Sequence, residues 1–128
     1  MSTFEEAVVA FRNGDINRAV DLFEQVTRRN PDHYDAFVYL GAAYAQQGRY
    51  NATIGALRRA ADSKPDSPRI YYNLGQAYEA AGVPREAWFS YKKALELDPS
   101  YGLARGALIA LSHRLPSLLS AGIEFTTY

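Results

Sequence analysis

Beyond carboxylates, hydroxyls and lysine amines, the groups able to do proton-transfer or metal chemistry in this 128-residue chain are two histidines, because there is no cysteine. His33 and His113 stand 80 residues apart. His33 lies at the start of an expected helix and reads as a capping or surface residue rather than a base. His113, beside Arg114, is placed to complement a helix end or meet an acidic group. The carboxylate pairs Glu5/Glu6 and Asp32/Asp35 also fall at expected helix termini, where they satisfy free amides and the helix dipole. No second pair completes an acid–base arrangement. The glycines are isolated, and none precedes a Lys-Ser or Lys-Thr dipeptide, so there is no phosphate-binding loop. Without cysteine, disulfides, thiol nucleophiles and thiolate metal sites are excluded. The reading is therefore no catalytic residue, no cofactor site, no metal site and no enzyme.

Charge narrows the partners further. Fourteen Lys plus Arg balance fourteen Asp plus Glu, so no net field draws the chain to a polyphosphate or an anionic bilayer. The pairs Arg28-Arg29, Arg58-Arg59 and Lys92-Lys93 suggest a basic stripe, but Glu24, Asp62, Glu96 and Asp98 dilute it to an ordinary solvated face, and nucleic acid is not expected. With 48% apolar and 22% charged residues the chain is globular in composition. No run approaches about eighteen consecutive apolar residues. The start, Met1-Ser-Thr-Phe-Glu-Glu, lacks the basic and apolar regions of an export leader. A cytoplasmic protein without direct membrane insertion is the expectation.

The elements that would position any site are set by self-similarity. Gly14, Gly48 and Gly82 are spaced by 34 residues, as are Pro31, Pro65 and Pro99. Upstream, Phe37-Val-Tyr-Leu-Gly-Ala-Ala-Tyr44 recurs as Tyr71-Tyr-Asn-Leu-Gly-Gln-Ala-Tyr78. Each period divides into two helices. Leu40, Gly41 and Tyr44, like Leu74, Gly75 and Tyr78, share one helical face, and the glycine on it lets a second helix approach closely. The second helix of each pair offers Ala19, Phe23 and Val26, then Thr53, Leu57 and Ala60, then Ala87, Tyr91 and Ala94. Small and large residues alternate as interlocking faces require. The glycines serve the reversal within a pair and the prolines stop the second helix. Ser67 before Pro68 reads as a cap, and Asp15 and Ser100 are assigned as caps too. Helices are expected at 3–13, 16–30, 34–47, 50–63, 68–81, 84–97 and 101–114.

These features resemble the tetratricopeptide repeat family. The third period carries its full pattern in Tyr71, Leu74, Gly75, Tyr78, Gly82, Ala87, Tyr91, Ala94 and Pro99. The second departs at Thr53 and Leu57, where the family prefers Ala and an aromatic. The first has Glu6 and Ala7 in place of Leu-Gly and Ala10 in place of Tyr. The resemblance implies an all-α, right-handed superhelix, or solenoid, of three helix-turn-helix hairpins at about 1–33, 34–67 and 68–101. A capping helix at 101–114, with Leu108 and Ile109 where Leu-Gly would stand, completes a domain at 1–114, and 115–128 is an apolar tail.

The resemblance also implies a function, an interaction scaffold or assembly factor that holds a peptide or amphipathic helix on a concave surface formed by the leading helices. Mapped onto this chain, the partner-facing positions are Phe4, Val8, Phe11 and Arg12, then Asp35, Val38, Tyr39, Ala42, Ala45 and Gln46, then Arg69, Tyr72, Asn73, Gln76 and Glu79. The cap adds Leu103, Ala107, Ala110 and His113. Asn73 is singled out because mid-helix Asn is unfavourable, yet its amide can clamp a peptide backbone. One family variant grips carboxy-terminal Glu-Glu-Val-Asp tails through Lys, Asn, Asn, Lys and Arg. The matching residues here are Phe4, Val8, Tyr39, Arg69 and Asn73, which keep one cation, so an apolar segment is the expected partner. The alternative is a structural, self-assembling homo-oligomer formed through the cap and the tail, whose Leu118, Leu119, Ile123 and Phe125 accompany a single charge, Glu124.

Overall fold

The computed structural model describes residues 1–114. These residues form α1 (Thr3–Arg12), α2 (Ile16–Arg29), α3 (Tyr34–Gln46), α4 (Tyr50–Ser63), α5 (Pro68–Ala80), α6 (Pro84–Leu97) and α7 (Gly102–Arg114), with no strand among them. The expected spans hold to within one residue at either end. The reading of the tail from Leu115 to Tyr128 lies outside the described residues.

Local chemistry explains where the helices start and stop. Gly14, Gly48 and Gly82 have φ of 80°, 75° and 78°, which a side chain at Cβ would oppose. In each turn the residue after the glycine donates its N–H to a carbonyl five residues back: Asp15 to Ala10, Arg49 to Tyr44 and Val83 to Tyr78, each at 2.9 Å. The glycine's own N–H bonds three residues back, completing a Schellman motif. At the other junction α2, α4 and α6 end two residues before Pro31, Pro65 and Pro99. The residue preceding each proline is pushed out of the helical region, with φ between −135° and −145°.

Capping is only partly as expected. Ser67 Oγ accepts from Ile70 N–H at 3.3 Å ahead of Pro68, as its sequence suggests. His33 caps α3, its Nδ1 accepting from Ala36 N–H at 3.1 Å. Ser2 and Glu5 form a reciprocal capping box on α1, and the Ser2 backbone N–H, followed by the Ser2 hydroxyl, holds the Glu5 carboxyl below the usual range. Asp15, however, makes no side-chain cap bond. Its main chain is already committed to closing the preceding helix, as are those of Arg49 and Val83. Ser100 is not a cap either: its N–H and Oγ both bond Asp98 Oδ1, at 3.0 and 2.7 Å, and α7 begins two residues later.

The described residues form two compact units, one at residues 1–65 and the other from Asp66 onward. In unit 1 each of the consecutive helices α1 to α4 packs on the next, with Ala19, Phe23, Ala36, Leu40, Leu57 and Ala60 almost sealed from solvent. A Cβ on Gly41 would lie 3.2 Å from Leu57 Cγ, and Thr53 Oγ1 donates to Gly41 O at 3.1 Å, binding α4 to α3. In unit 2, α6 packs between α5 and α7 around Trp88, Tyr91, Leu95, Leu108 and Leu111. Here the approach is closer, since a Cβ on Gly75 would sit 2.3 Å from the Tyr91 ring.

Candidate interaction surfaces

In unit 1, Phe4, Val8 and Phe11 run along α1, and Val38, Ala42 and Ala45 run along α3 with the same i, i+4, i+7 spacing. Ala42, Arg12 and Gln46 are exposed, and Phe4, Val8, Phe11, Asp35, Val38, Tyr39 and Ala45 are half-buried. The aromatic residues are half-buried because they pack on one another. Tyr39 stacks on buried Phe23 at 5.4 Å between centroids and meets the edges of Phe4 and Phe11, each at 5.8 Å. Phe4 stacks on His33 at 4.6 Å and meets Phe23 at 6.0 Å. Edge-to-face and offset contacts of this kind fix ring orientations while leaving one side wettable. The Tyr39 hydroxyl has no hydrogen-bond partner among the described residues. His33 and Phe23 were not assigned to this surface from sequence, and no periodic signal links His33 to Phe4.

In unit 2 the corresponding positions are more occupied. Tyr72 is half-buried against Tyr91 and Tyr101, at 6.0 and 5.8 Å. Gln76, although exposed, donates from Nε2 to the Tyr91 hydroxyl at 2.7 Å. That hydroxyl donates in turn to Glu79 Oε2, while Arg114 pairs with Glu79 Oε1. Burial and then the Glu79 carboxylate push the Tyr91 phenol well above its usual range. Tyr101 is raised by burial and, second, by Tyr72. Arg69 is exposed, and half-buried Asn73 makes no hydrogen bond among the described residues. On α7, Leu103, Ala110 and His113 are exposed and Ala107 is half-buried, while Ile109, not among the mapped positions, is about half open. A cleft of about 380 Å³ is lined by Glu79, Gly82, Pro84, Leu111 and Arg114.

On the following helices, Arg59 sits over Phe37 at 5.0 Å and Lys92 over Trp88 at 5.1 Å, which gives part of the basic stripe an internal packing role. Tyr44 donates to Glu24 at 2.6 Å across α2 and α3, and burial followed by that bond raises its pKa to about 12. Among the described residues no group of three or more His, Asp or Glu could hold a metal ion, and no helix is long and apolar enough to cross a membrane.

A family model described as tetratricopeptide repeat matches residues 4–68, and a second with the same description matches residues 68–101. Among curated proteins, the chain is similar to the small glutamine-rich tetratricopeptide repeat-containing protein 2 of Mycosarcoma maydis, 27% identical over 113 residues, or 88% of this chain and 32% of that protein. The chain spans a third or less of the length of the curated relatives that it matches. Among solved structures, it is similar to MamA (41 to end) from Desulfovibrio magneticus RS-1, with a TM-score of 0.82 and 25% identity over 94% of this chain and 68% of that one. The first repeat domain of Spaghetti (RPAP3), solved with the HSP90 peptide SRMEEVD, gives a TM-score of 0.83 at 21% identity over 89% and 90% of the two chains. These likenesses show the all-α solenoid fold of paired helices.

Proposed function

This chain belongs to the tetratricopeptide repeat family, and from that premise we propose that it is an interaction scaffold that holds an apolar stretch of another polypeptide, an extended peptide or one face of an amphipathic helix, on its leading helices. The observation that carries this reading is the ring-lined surface of unit 1, where Phe4, Phe11 and Tyr39 are held by their neighbours and the Tyr39 hydroxyl has no hydrogen-bond partner among the described residues. Rigid aromatic residues offer contact area at low entropic cost, and a tyrosine hydroxyl supplies one directional bond to a partner backbone. In this reading Val8, Val38 and Ala42 give the apolar floor, and Arg12 and Gln46 the rim. The neighbouring Spaghetti domain holds an acidic peptide. Apolar Phe4 and Val8 do not favour that chemistry here, and neither does Tyr39. No reaction, cofactor, metal or nucleic acid enters the reading, and the cytoplasm is its proposed compartment.

The test is a photo-crosslinking amino acid placed at Ala42 or, as a control on a following helix, at Arg58, followed by sequencing of the captured peptide. One apolar peptide crosslinked from position 42 and absent from position 58 is the expected result. Equal capture from both positions would remove the assignment of the leading-helix face. A second reading, self-assembly, is favoured by Leu103 and Ile109, which are 61% and 51% exposed on α7. A molecular mass that stays monomeric across a hundredfold range of concentration would end it.

A further inference from the structure

The cleft beside Glu79 has a chemistry of its own. Gln76 donates to the Tyr91 oxygen, so the single Tyr91 proton points to Glu79 Oε2. That bond comes from a side chain with no exposed surface, and it fixes the carboxylate in orientation. The other oxygen, Oε1, faces Arg114, the last residue of α7, whose side chain is 61% exposed. An ion pair this open is weak and exchanges readily. Around it, Pro84 and Leu111 give an apolar wall and Gly82 leaves room at the turn, in a space of about 380 Å³. A preoriented carboxylate beside an apolar wall matches the shape of an alkyl cation, with methylene groups against the wall and the charged head on the acid.

We infer that this cleft is a recognition site for a cationic side chain, Arg or Lys, of a bound polypeptide, and that Arg114 is an internal stand-in that the partner's cation displaces. This deepens the reading of the leading helices as a partner surface and rests on it for the source of the cation. The cleft itself can be tested without any partner. Tethered next to Glu79, Arg114 competes intramolecularly, and for an exposed pair of this kind its removal should tighten binding of a free cation by roughly two- to fivefold.

The experiment is an NMR titration of the 128-residue chain with n-butylguanidinium, and in parallel with uncharged n-butylurea, following the amides of Gly82 and Leu111. The expected result is saturable shifts with the guanidinium only, tighter in Arg114→Ala and lost in Glu79→Gln, with circular dichroism confirming that both variants fold. Equal binding of the urea would overturn the proposal, since the cleft would then be merely apolar. So would Arg114→Ala binding no tighter than the parent, or Glu79→Gln retaining the shifts. A silent cleft leaves the crosslinking test at Ala42 untouched, and failure of that test leaves the titration interpretable.

Discussion

In unit 1 the positions Val8, Phe11, Ala42 and Ala45 present methyl groups and a ring, whereas the matching positions of α5 in unit 2, Gln76 and Glu79, present an amide and a carboxylate. The cause lies one layer down. Under α5 the interlocking residue is Tyr91, whose hydroxyl reaches the leading-helix side and takes up Gln76 and Glu79. Its counterparts 34 and 68 residues earlier are Leu57 and Phe23, which have no hydroxyl to satisfy. A buried hydroxyl must find partners, so the choice between Tyr and a hydrocarbon at the interlock dictates whether the surface above is polar or apolar. One repeat pattern thus yields a surface still open to a partner in unit 1 and one largely bonded to itself in unit 2.

The sharpest way to break this comparison is at the interlocking glycines. Gly75→Ala should destabilise the protein by about 2–3 kcal/mol, because the new methyl would collide with a ring that has no space to move. Gly41→Ala should cost less than about 1 kcal/mol, since Leu57 Cγ lies farther away and alanine gains helix propensity. Urea unfolding measures both, and equal losses would show that the two interlocks do not differ. Next in size, Leu57→Tyr should cost about 2 kcal/mol by burying a hydroxyl without partners. Adding Ala42→Gln and Ala45→Glu should recover at least about half of that cost, because the trio reproduces Tyr91, Gln76 and Glu79. No recovery would deny that the interlock sets the polarity of the face.

A smaller effect concerns pH. Tyr91 has a folded pKa above the unfolded value of about 10, so its contribution is complete below pH 10 and is lost as pH rises beyond it. Tyr91→Phe should cost about 1 kcal/mol at pH 7, and its deficit relative to the parent should shrink between about pH 10 and 11. A deficit that stays constant with pH would contradict the buried hydroxyl–carboxylate bond. Smallest, His33→Ala should remove the α3 cap at a cost of about 0.5–1 kcal/mol, read from thermal unfolding, while Asp15→Ala should change almost nothing.

What the sequence made legible were features forced by sterics at a fixed interval. The positive-φ glycines, the prolines beyond α2, α4 and α6, and the contacts of Gly41 and Gly75 follow from spacing alone. Caps were less legible, because the same residue can serve two helices. Asp15 has a good capping side chain, but its main chain closes α1, and Ser100 is drawn to Asp98. Side-chain meetings that no repeat interval encodes were not legible at all. Phe4 with His33 and Glu79 with Arg114 join different elements through rotamers that pattern does not specify. The mapped surface positions all keep some exposure, but Tyr72, Gln76 and Glu79 carry internal bonds or ring contacts that the mapping alone would leave open to a partner.

The most direct measurement of the central claim is calorimetric titration of the peptide captured at Ala42 into the parent chain, a Val8→Asp, Ala42→Asp double variant and an Arg58→Asp control. A loss of at least about tenfold in affinity, or roughly 1.4 kcal/mol, in the double variant alone, with all three proteins equally stable, is the predicted result. Affinity unchanged in the double variant, or lost equally in the control, would contradict a partner seated on α1 and α3.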